Sequence, residues 1–347
     1  MGFNVRVEPS GRQFEVAEGE TVLEAAMRQH IGMPYGCKDG ACASCKCKMT
    51  SGSVVHKPYQ TAALSPEEQA QGMVLPCRAL PQEDLVLEAP QVTAADAFPV
   101  RKMPARVSHL ERLCPDVMQV TLQLPPNAPL QFHAGQYIDV LLPNGQRRSY
   151  SMASAPHQIN PAQPLLDLHI RHMPGGTFTD HVFAAMKEKE ILRVEGPLGS
   201  FYVREKTSAK PLVFLASGTG FAPVKAMLED LVHTGSTRPA TLYWGVRRPH
   251  DAYMHAWMRD FAAVHAHVRY VPVVSDALPE DVWEGERGLA VDVMLREIPD
   301  MRDCEVYACG TPIMVEVAHA RCTTEAGLPE TAFYSDAFVS QKDKAAA

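Results

Sequence analysis

The chain has 347 residues, more than one hydrophobic core ordinarily serves, so two or three domains are expected. Its 46% hydrophobic and 21% charged content is that of a folded globular protein and excludes a disordered chain. A formal charge of -7 without any Lys or Arg run argues against a nucleic-acid partner, and no stretch approaches the roughly 18 apolar residues of a membrane helix. The opening residues, MGFNVRVEPSGRQF, lack the apolar core of a secretion signal, so the chain is expected in the cytoplasm without membrane insertion. In that reducing compartment the nine cysteines are expected as metal ligands or buried thiols instead of disulfides.

Residues 1–92 begin with short alternating strands, NVRVEP and QFEVAE, followed by a capping box from Thr21 to Glu24 that opens a helix running through Met27. Next come Cys37, Cys42 and Cys45 with a distant Cys77, the Cys-x4-Cys-x2-Cys order of a plant-type 2Fe-2S cluster. Gly36, Gly40, Ala41, Ala43 and Ser44 are small enough for the loop to wrap an inorganic core with its amides toward the sulfurs. A structural zinc site ordinarily shows two short ligand pairs, and here only Cys42 and Cys45 form one, so the spacing favours the cluster. Cys47 heads KCKMTSG, a strand leaving the loop, and is expected as a small packed side chain. SPEEQAQG, with Pro66 at its first helical position, reads as a second short helix before MVLPCRA delivers Cys77.

Residues 93–103, TAADAFPVRKM, are small, polar and without periodicity, which marks a linker. From 104 to 205 the runs RVSHLERL, VMQVTLQL, QYIDVLL, LLDLHIRH and ILRVEGP, punctuated by Pro and Gly, predict an antiparallel sheet or barrel. From 206 to 347 the rhythm becomes strand, glycine turn and helix, which predicts a parallel α/β domain.

Two places in this pattern carry candidate chemistry. Gly218, Thr219 and Gly220 follow an apolar strand and open a helix, so backbone amides and the positive helix end face whatever docks there, and phosphate is the natural guest. A tight βα turn with no ligand explains the same residues, and Pro223 replaces the last glycine of the Rossmann fingerprint. On the strand around Arg148, alternation puts Arg148 and Tyr150 on one face, fit to clamp a pyrophosphate and cover a ring system, although an exposed polar strand reads the same way. Gly175 and Gly176 run into Thr179, expected as a helix cap whose neighbouring amides face phosphate or merely finish the helix.

The order of a cysteine loop, RSYS, GGTFT, GPLGSF, GTGFAP, YACGTPIM and FYSDAF resembles the ferredoxin-NAD(P)H reductase superfamily, in its branch with an N-terminal plant-type ferredoxin domain. Within it, RRSYS, GTGFAPVK, YWG, YVPVVS, VYACG and SDAFV are similar to the CDP-6-deoxy-Δ3,4-glucoseen reductase group, and reductase components of aromatic-ring oxygenases share the plan. The resemblance implies a β-grasp ferredoxin domain, an antiparallel FAD-binding β-barrel and a parallel NAD(P)H-binding α/β domain. It implies that Arg148 holds the flavin pyrophosphate, Tyr150 lies against the isoalloxazine and Ser151 bonds near its N5, while Gly175, Gly176 and Thr179 complete the phosphate site. Gly218, Thr219, Gly220 and Pro223 are implied as the dinucleotide turn, with Cys309 and Gly310 near the nicotinamide and Phe338, with Asp336, over the flavin. Asp276 follows Ser275 where NADPH enzymes of the family often carry Arg, which favours NADH, while Arg247 and Arg248 pull toward NADPH.

A hydride carries two electrons and the cluster accepts one, so a flavin between them is required. The expectation is therefore an oxidoreductase that moves electrons from NADH through FAD and the 2Fe-2S cluster to a separate protein, either a CDP-sugar dehydrase or an oxygenase component. The alternative from another class is a ferredoxin-type redox-sensing module with a vestigial flavin domain.

Overall fold

A computed structural model of the chain describes residues 2–92, 98–127 and 130–339; residues 93–97 of the expected linker and the KDKAAA tail lie outside them. It separates into two compact units, Met1–Pro99 with Gly199–Phe201 and the chain from Ser335, and Val100–Leu198 with Tyr202–Tyr334.

The first unit has the β-grasp plan. Its mixed sheet runs in the order Arg12–Val16, Phe3–Glu8, Leu85–Glu88, Cys47–Ser51, Met73–Val74. Alternation decides which side is core: Val5, Val7, Phe14, Val16, Leu85 and Leu87 are all buried while their neighbours face out. The helix Val22–Arg28 lays Val22, Leu23, Ala25 and Ala26 into the same core. Its start is held by the capping box expected from the sequence, with Glu24 N donating to Thr21 Oγ1 at 3.3 Å and Thr21 N donating to Glu24 Oε2 at 2.8 Å.

In the second unit one sheet is antiparallel, ordered Arg147–Ser151, Tyr137–Leu141, Ile191–Leu198, Arg101–Cys114, Val117–Gln123, Leu165–Arg171. A bridge between Met152 and Leu168 joins the two ends of this order, closing the sheet into a barrel around Val107, Val120, Leu122, Leu166 and Leu168. The strand Arg101–Cys114 begins inside the stretch expected as linker, because Arg101 and Met103 pair with Gly196 and Val194 of the barrel.

The other sheet orders Glu286–Arg287, Val268–Val274, Ala240–Val246, Leu212–Ser217, Glu305–Gly310 and Phe333–Ala337, and the pairings from Glu286 to Gly310 are parallel. Its central strands are almost continuously apolar, as strands covered on both faces must be, with Phe214, Tyr243, Trp244 and Tyr307 buried. Leu212–Ser217 pairs with Ala240–Val246 on one side and Glu305–Gly310 on the other. The order reverses at this strand, and a crevice opens beyond its carboxyl end. Among the described residues no helix is long and apolar enough to cross a membrane.

Leu168 is fully buried in the barrel, so Leu168→Ala is expected to cost about 2–5 kcal/mol. Trp244, Trp257 and Trp283 all lie in this unit, so urea unfolding followed by tryptophan fluorescence reads the loss directly. A midpoint no lower than that of the exposed substitution Glu111→Ala would contradict the assigned core.

Candidate functional site

The cysteine loop connects the helix Val22–Arg28 to the strand Cys47–Ser51 without regular structure of its own. Lys38, Gly40 and Ala43 take positive φ of 61°, 74° and 59°, which folds the loop back so that its amides point inward. Ala41 N and Asp39 N donate to Cys37 Sγ at 3.3 and 3.4 Å, and Cys37 N donates to Cys42 Sγ at 3.3 Å. The thiols meet in two pairs, Cys37 with Cys42 and Cys45 with Cys77. Among the described residues no three His, Cys, Asp or Glu side chains gather to hold a single metal ion. Two pairs of thiols ringed by amide donors fit a two-iron core, because each iron takes two thiolates and the sulfurs carry charge that amides stabilise. The hydrogen bond from Cys42, with the amides of Ala41 and Asp39, holds the Cys37 thiol below its ordinary range against the opposing effect of burial.

Cys47 behaves differently. It is buried on its strand opposite Val74, and desolvation pushes its thiol up to about 12, as befits a neutral packed side chain. Around the loop, Gly36 is tightly packed: a Cβ would lie 3.3 Å from Cys42 Sγ and 3.4 Å from Asp336 Oδ1. Asp336, implied by the resemblance as a flavin neighbour with Phe338, is thus packed against the residue preceding Cys37, and Phe338 is half-buried in the same compact unit. Ser200 is tied to the same loop, its Oγ accepting from Tyr35 N at 2.8 Å and donating to Tyr35 O at 3.1 Å.

On the barrel, the register pairs Val140 with Arg148, Ile138 with Tyr150 and Tyr137 with Ser151. Ser149 Oγ donates to Asp139 Oδ1 at 2.6 Å, and Arg147 also pairs with Asp139 and with Glu195, so these two residues share one face. Arg148 and Tyr150 therefore occupy the other. The Arg148 guanidinium donates to Gln146 Oε1 and to the Arg147 carbonyl, both at 2.8 Å, which leaves its charge without a carboxylate partner in these bonds. Tyr150 packs on Phe178, ring centres 5.5 Å apart, and Phe178 belongs to the helix Thr177–Ala184. Gly175, at φ 81°, and Gly176 lead into that helix. The capping position belongs to Gly176, not to Thr179 as expected. Thr179 lies a turn inside, where its hydroxyl accepts from Met173 N at 3.2 Å and donates to Met173 O at 2.9 Å, so that it clamps the glycine turn from within. Ser151 is buried at the end of its strand.

Beyond the carboxyl end of Leu212–Ser217 lies a cavity of about 420 Å³. Gly218, Thr219 and Ser275 line it, joined by Tyr253 and by Arg171 of the barrel. Gly218 sits at φ 52° and its carbonyl accepts from Trp244 Nε1 at 2.9 Å. Gly220 is pressed on the Cys309 carbonyl so closely that a Cβ would collide with it, and Gly310, at φ 138°, is packed likewise on Ser217. Gly220, buried Pro223, Cys309 and Gly310 therefore support the turn from behind while Gly218 and Thr219 face the cavity. Asp276 bonds through its amide to the Arg247 carbonyl at 3.0 Å, and its carboxylate is 3.7 Å from Arg247 and 3.4 Å from Arg248. The carboxylate that argued for one cofactor is thus engaged by the two guanidiniums that argued for the other, and Arg248 also lies 3.9 Å from Asp281.

Arg171, Asp116 and Tyr253 carry no motif and are supplied by the tertiary structure alone. Arg171 Nε is bound to Asp116 Oδ2 at 2.7 Å, and Tyr253 OH lies 3.0 Å from His169 Nδ1. Burial, and then the nearby Lys225 charge, pull His169 down to about 3, so it is neutral at physiological pH.

Comparison with known proteins agrees with this division of sites. Residues 5–82 match the 2Fe-2S iron-sulfur cluster binding domain family, residues 104–202 the oxidoreductase FAD-binding domain family and residues 214–320 the oxidoreductase NAD-binding domain family. The chain is 38% identical to the CDP-6-deoxy-L-threo-D-glycero-4-hexulose-3-dehydrase reductase of Yersinia pestis over 342 residues, 99% of this chain and 100% of that one. It is 33% identical to the phenol 2-monooxygenase reductase component DmpP of a Pseudomonas species, over 92% of this chain and 89% of the relative. Among solved structures, the Amycolatopsis reductase GcoB superimposes with a TM-score of 0.78 at 30% identity, covering 97% of this chain and 98% of the other.

The pairing of thiols distinguishes ligand from packing. Cys42→Ser is expected to remove the visible absorption and low-temperature electron-spin signal of the cluster, whereas Cys47→Ala should retain both; loss of the cluster on Cys47→Ala would reverse the assignment.

Proposed function

The chain belongs to the ferredoxin-NAD(P)H reductase superfamily, in the branch that carries an N-terminal 2Fe-2S domain, and from that membership we propose that it is a cytoplasmic reductase feeding electrons from NADH to a separate CDP-sugar dehydrase. The observation that carries the partner is the likeness, along the whole length of both chains, to a reductase named for a CDP-6-deoxy-hexulose dehydrase. When bound, the flavin exchanges the two electrons of a hydride for the single electrons that an iron-sulfur cluster takes.

The residues divide the work of holding these groups. Arg148, without a carboxylate partner in its own bonds, would hold the flavin pyrophosphate, and Tyr150, braced by Phe178, would hold the ring system together with Ser151. Gly175 and Gly176, kept in place by Thr179, present the start of a helix to the remaining phosphate oxygens. The Gly218–Gly220 turn takes the dinucleotide phosphates, Ser275 and Asp276 meet its ribose, and Cys309 and Gly310 shape the nicotinamide end. Cys37, Cys42, Cys45 and Cys77 hold the exit cluster. No acid or base is required of the protein, which orients the carriers and sets the electrostatics around them.

Anaerobic NADH is expected to bleach the flavin and then the cluster. In Cys42→Ser, NADH should still reduce the flavin and ferricyanide while cytochrome c reduction falls. Adding a purified CDP-6-deoxy-hexulose dehydrase with its substrate should accelerate NADH oxidation. Acceleration by a phenol hydroxylase component in its place would move the chain to the oxygenase branch, and a flavin untouched by NADH would remove the reductase reading altogether.

Cofactor preference turns on Asp276. Asp276→Asn removes the carboxylate shared by Arg247 and Arg248, leaving Arg248 only Asp281, and the kcat/KM ratio of NADPH to NADH should rise by up to about fivefold, since an exposed charge pair is worth at most about 1 kcal/mol. An unchanged ratio would place the discrimination elsewhere.

A further inference from the structure

The helix Phe221–His233 grows directly out of the glycine turn, and on its second turn Lys225 is buried. Its ammonium donates to both carboxylate oxygens of Glu229 at 3.0 Å and sits 4.9 Å from the centre of the Trp257 ring. It also donates, at 3.3 Å, to the carbonyl of Ala153. Ala153 belongs to the barrel, two residues beyond Ser151, and its own amide is tied to the Asp167 carbonyl at 2.8 Å.

Two further contacts join the barrel to the parallel-sheet part of this compact unit, both from the strand Leu165–Arg171. The His169 and Tyr253 rings meet edge-on, with 3.0 Å between Nδ1 and OH, and Tyr253 is braced edge-on by Trp244 at 5.3 Å. Arg171, two residues along the barrel strand, comes so near Gly218 that a Cβ there would lie 3.2 Å from its Nη1. The barrel thus meets the nucleotide domain at the exit of the Arg148 strand and at the dinucleotide turn.

A buried ion pair is a poor source of stability in itself, because desolvation of both ions offsets their attraction and an apolar pair of equal volume often serves as well. What Lys225 does that an apolar residue cannot is bind one specified carbonyl. We propose that Lys225, neutralised by Glu229, is a positioning residue for hydride transfer. It fixes the glycine turn against the Ser151–Ala153 segment, so that a dinucleotide in the cavity meets the flavin at reacting distance, and Tyr253 with His169 provides the second point of the clamp. This rests on the NADH-to-flavin reading above. In the step itself a carbon–hydrogen bond of the nicotinamide breaks, its electron pair passes with the hydrogen to the flavin, and the nicotinamide is left oxidised. A misplacement of about 1 Å in such a step costs about 100-fold in rate.

The test uses the holoprotein with FAD and cluster bound, in anaerobic stopped flow. Lys225→Met/Glu229→Gln removes both charges together and avoids leaving one buried alone. The flavin reduction rate at saturating NADH is expected to fall about 10–100-fold, with the half-saturating NADH concentration changed less than about threefold and the FAD content retained. Lys225→Arg should recover most of the rate. Independently of turnover, amide hydrogen exchange over residues 151–155 and 218–225 should quicken in the double variant. Tyr253→Phe, which deletes one oxygen and keeps the ring, should slow reduction by a smaller factor and decides the matter should the double variant lose its flavin. Reduction at the wild-type rate in the double variant, or in Tyr253→Phe should the double variant lose its flavin, or a slowed rate with unchanged exchange, overturns the positioning role. Failure of NADH to reduce the wild-type flavin would instead sink the proposed function.

Discussion

Negative charge held by backbone amides is the constraint around which each candidate site is built. Cluster sulfurs and phosphate oxygens have more lone pairs than a few side chains can satisfy, and N–H groups reach them only where the chain runs without side chains in the way. At the cysteine loop, Lys38, Gly40 and Ala43 accept left-handed backbone so that the amides of Cys37, Asp39 and Ala41 face sulfur. In the barrel, Gly175 and Gly176 open a helix; in the parallel domain, Gly218 turns the chain and Gly220 lies against the Cys309 carbonyl. The surrounding sheets serve to hold these turns still.

Side-chain charges are distributed to match. Asp139, fully buried, is answered by Ser149 and Arg147 on one face of the barrel strand, while Arg148 on the other face bonds only to an amide oxygen and a carbonyl. That asymmetry leaves a guanidinium for an anion, which one already paired with a carboxylate would bind less well. Asp276 shows the opposite arrangement, a carboxylate already engaged by two arginines at the rim of the cavity. His169, kept neutral by burial, contributes shape and a hydrogen bond to Tyr253 without bringing a second charge near Lys225.

Local order was largely legible in the residues. The Thr21 cap, answered three residues later by Glu24, places the first helix of the first unit, and Pro66 marks the start of the second. Alternation alone separates Arg148 and Tyr150 from Arg147 and Ser149, and apolar runs broken by glycine turns announce the parallel sheet. Thr179 shows the limit of such reading: a hydroxyl near a helix start suits a cap, yet two preceding glycines let the chain begin the helix earlier and leave the hydroxyl to bind Met173. Asp336 against Gly36, Ser200 on Tyr35 and Arg171 beside Gly218 join residues far apart in the chain, and no spacing or periodicity encodes such neighbours.

The amino-acid sequence by itself determined the kinds of sheet and where the cysteine loop and the glycine turns fall, because each depends on residue types within a few positions of one another. Tertiary structure alone decided how the thiols pair, that Asp276 is engaged by two arginines, and that Lys225 and Tyr253 meet the barrel at Ala153 and His169. The reason is physical. Hydrogen-bonding patterns within a helix or turn follow from local backbone geometry, whereas the partner of a buried charge is whichever group the packed sheets bring within about 3 Å of it.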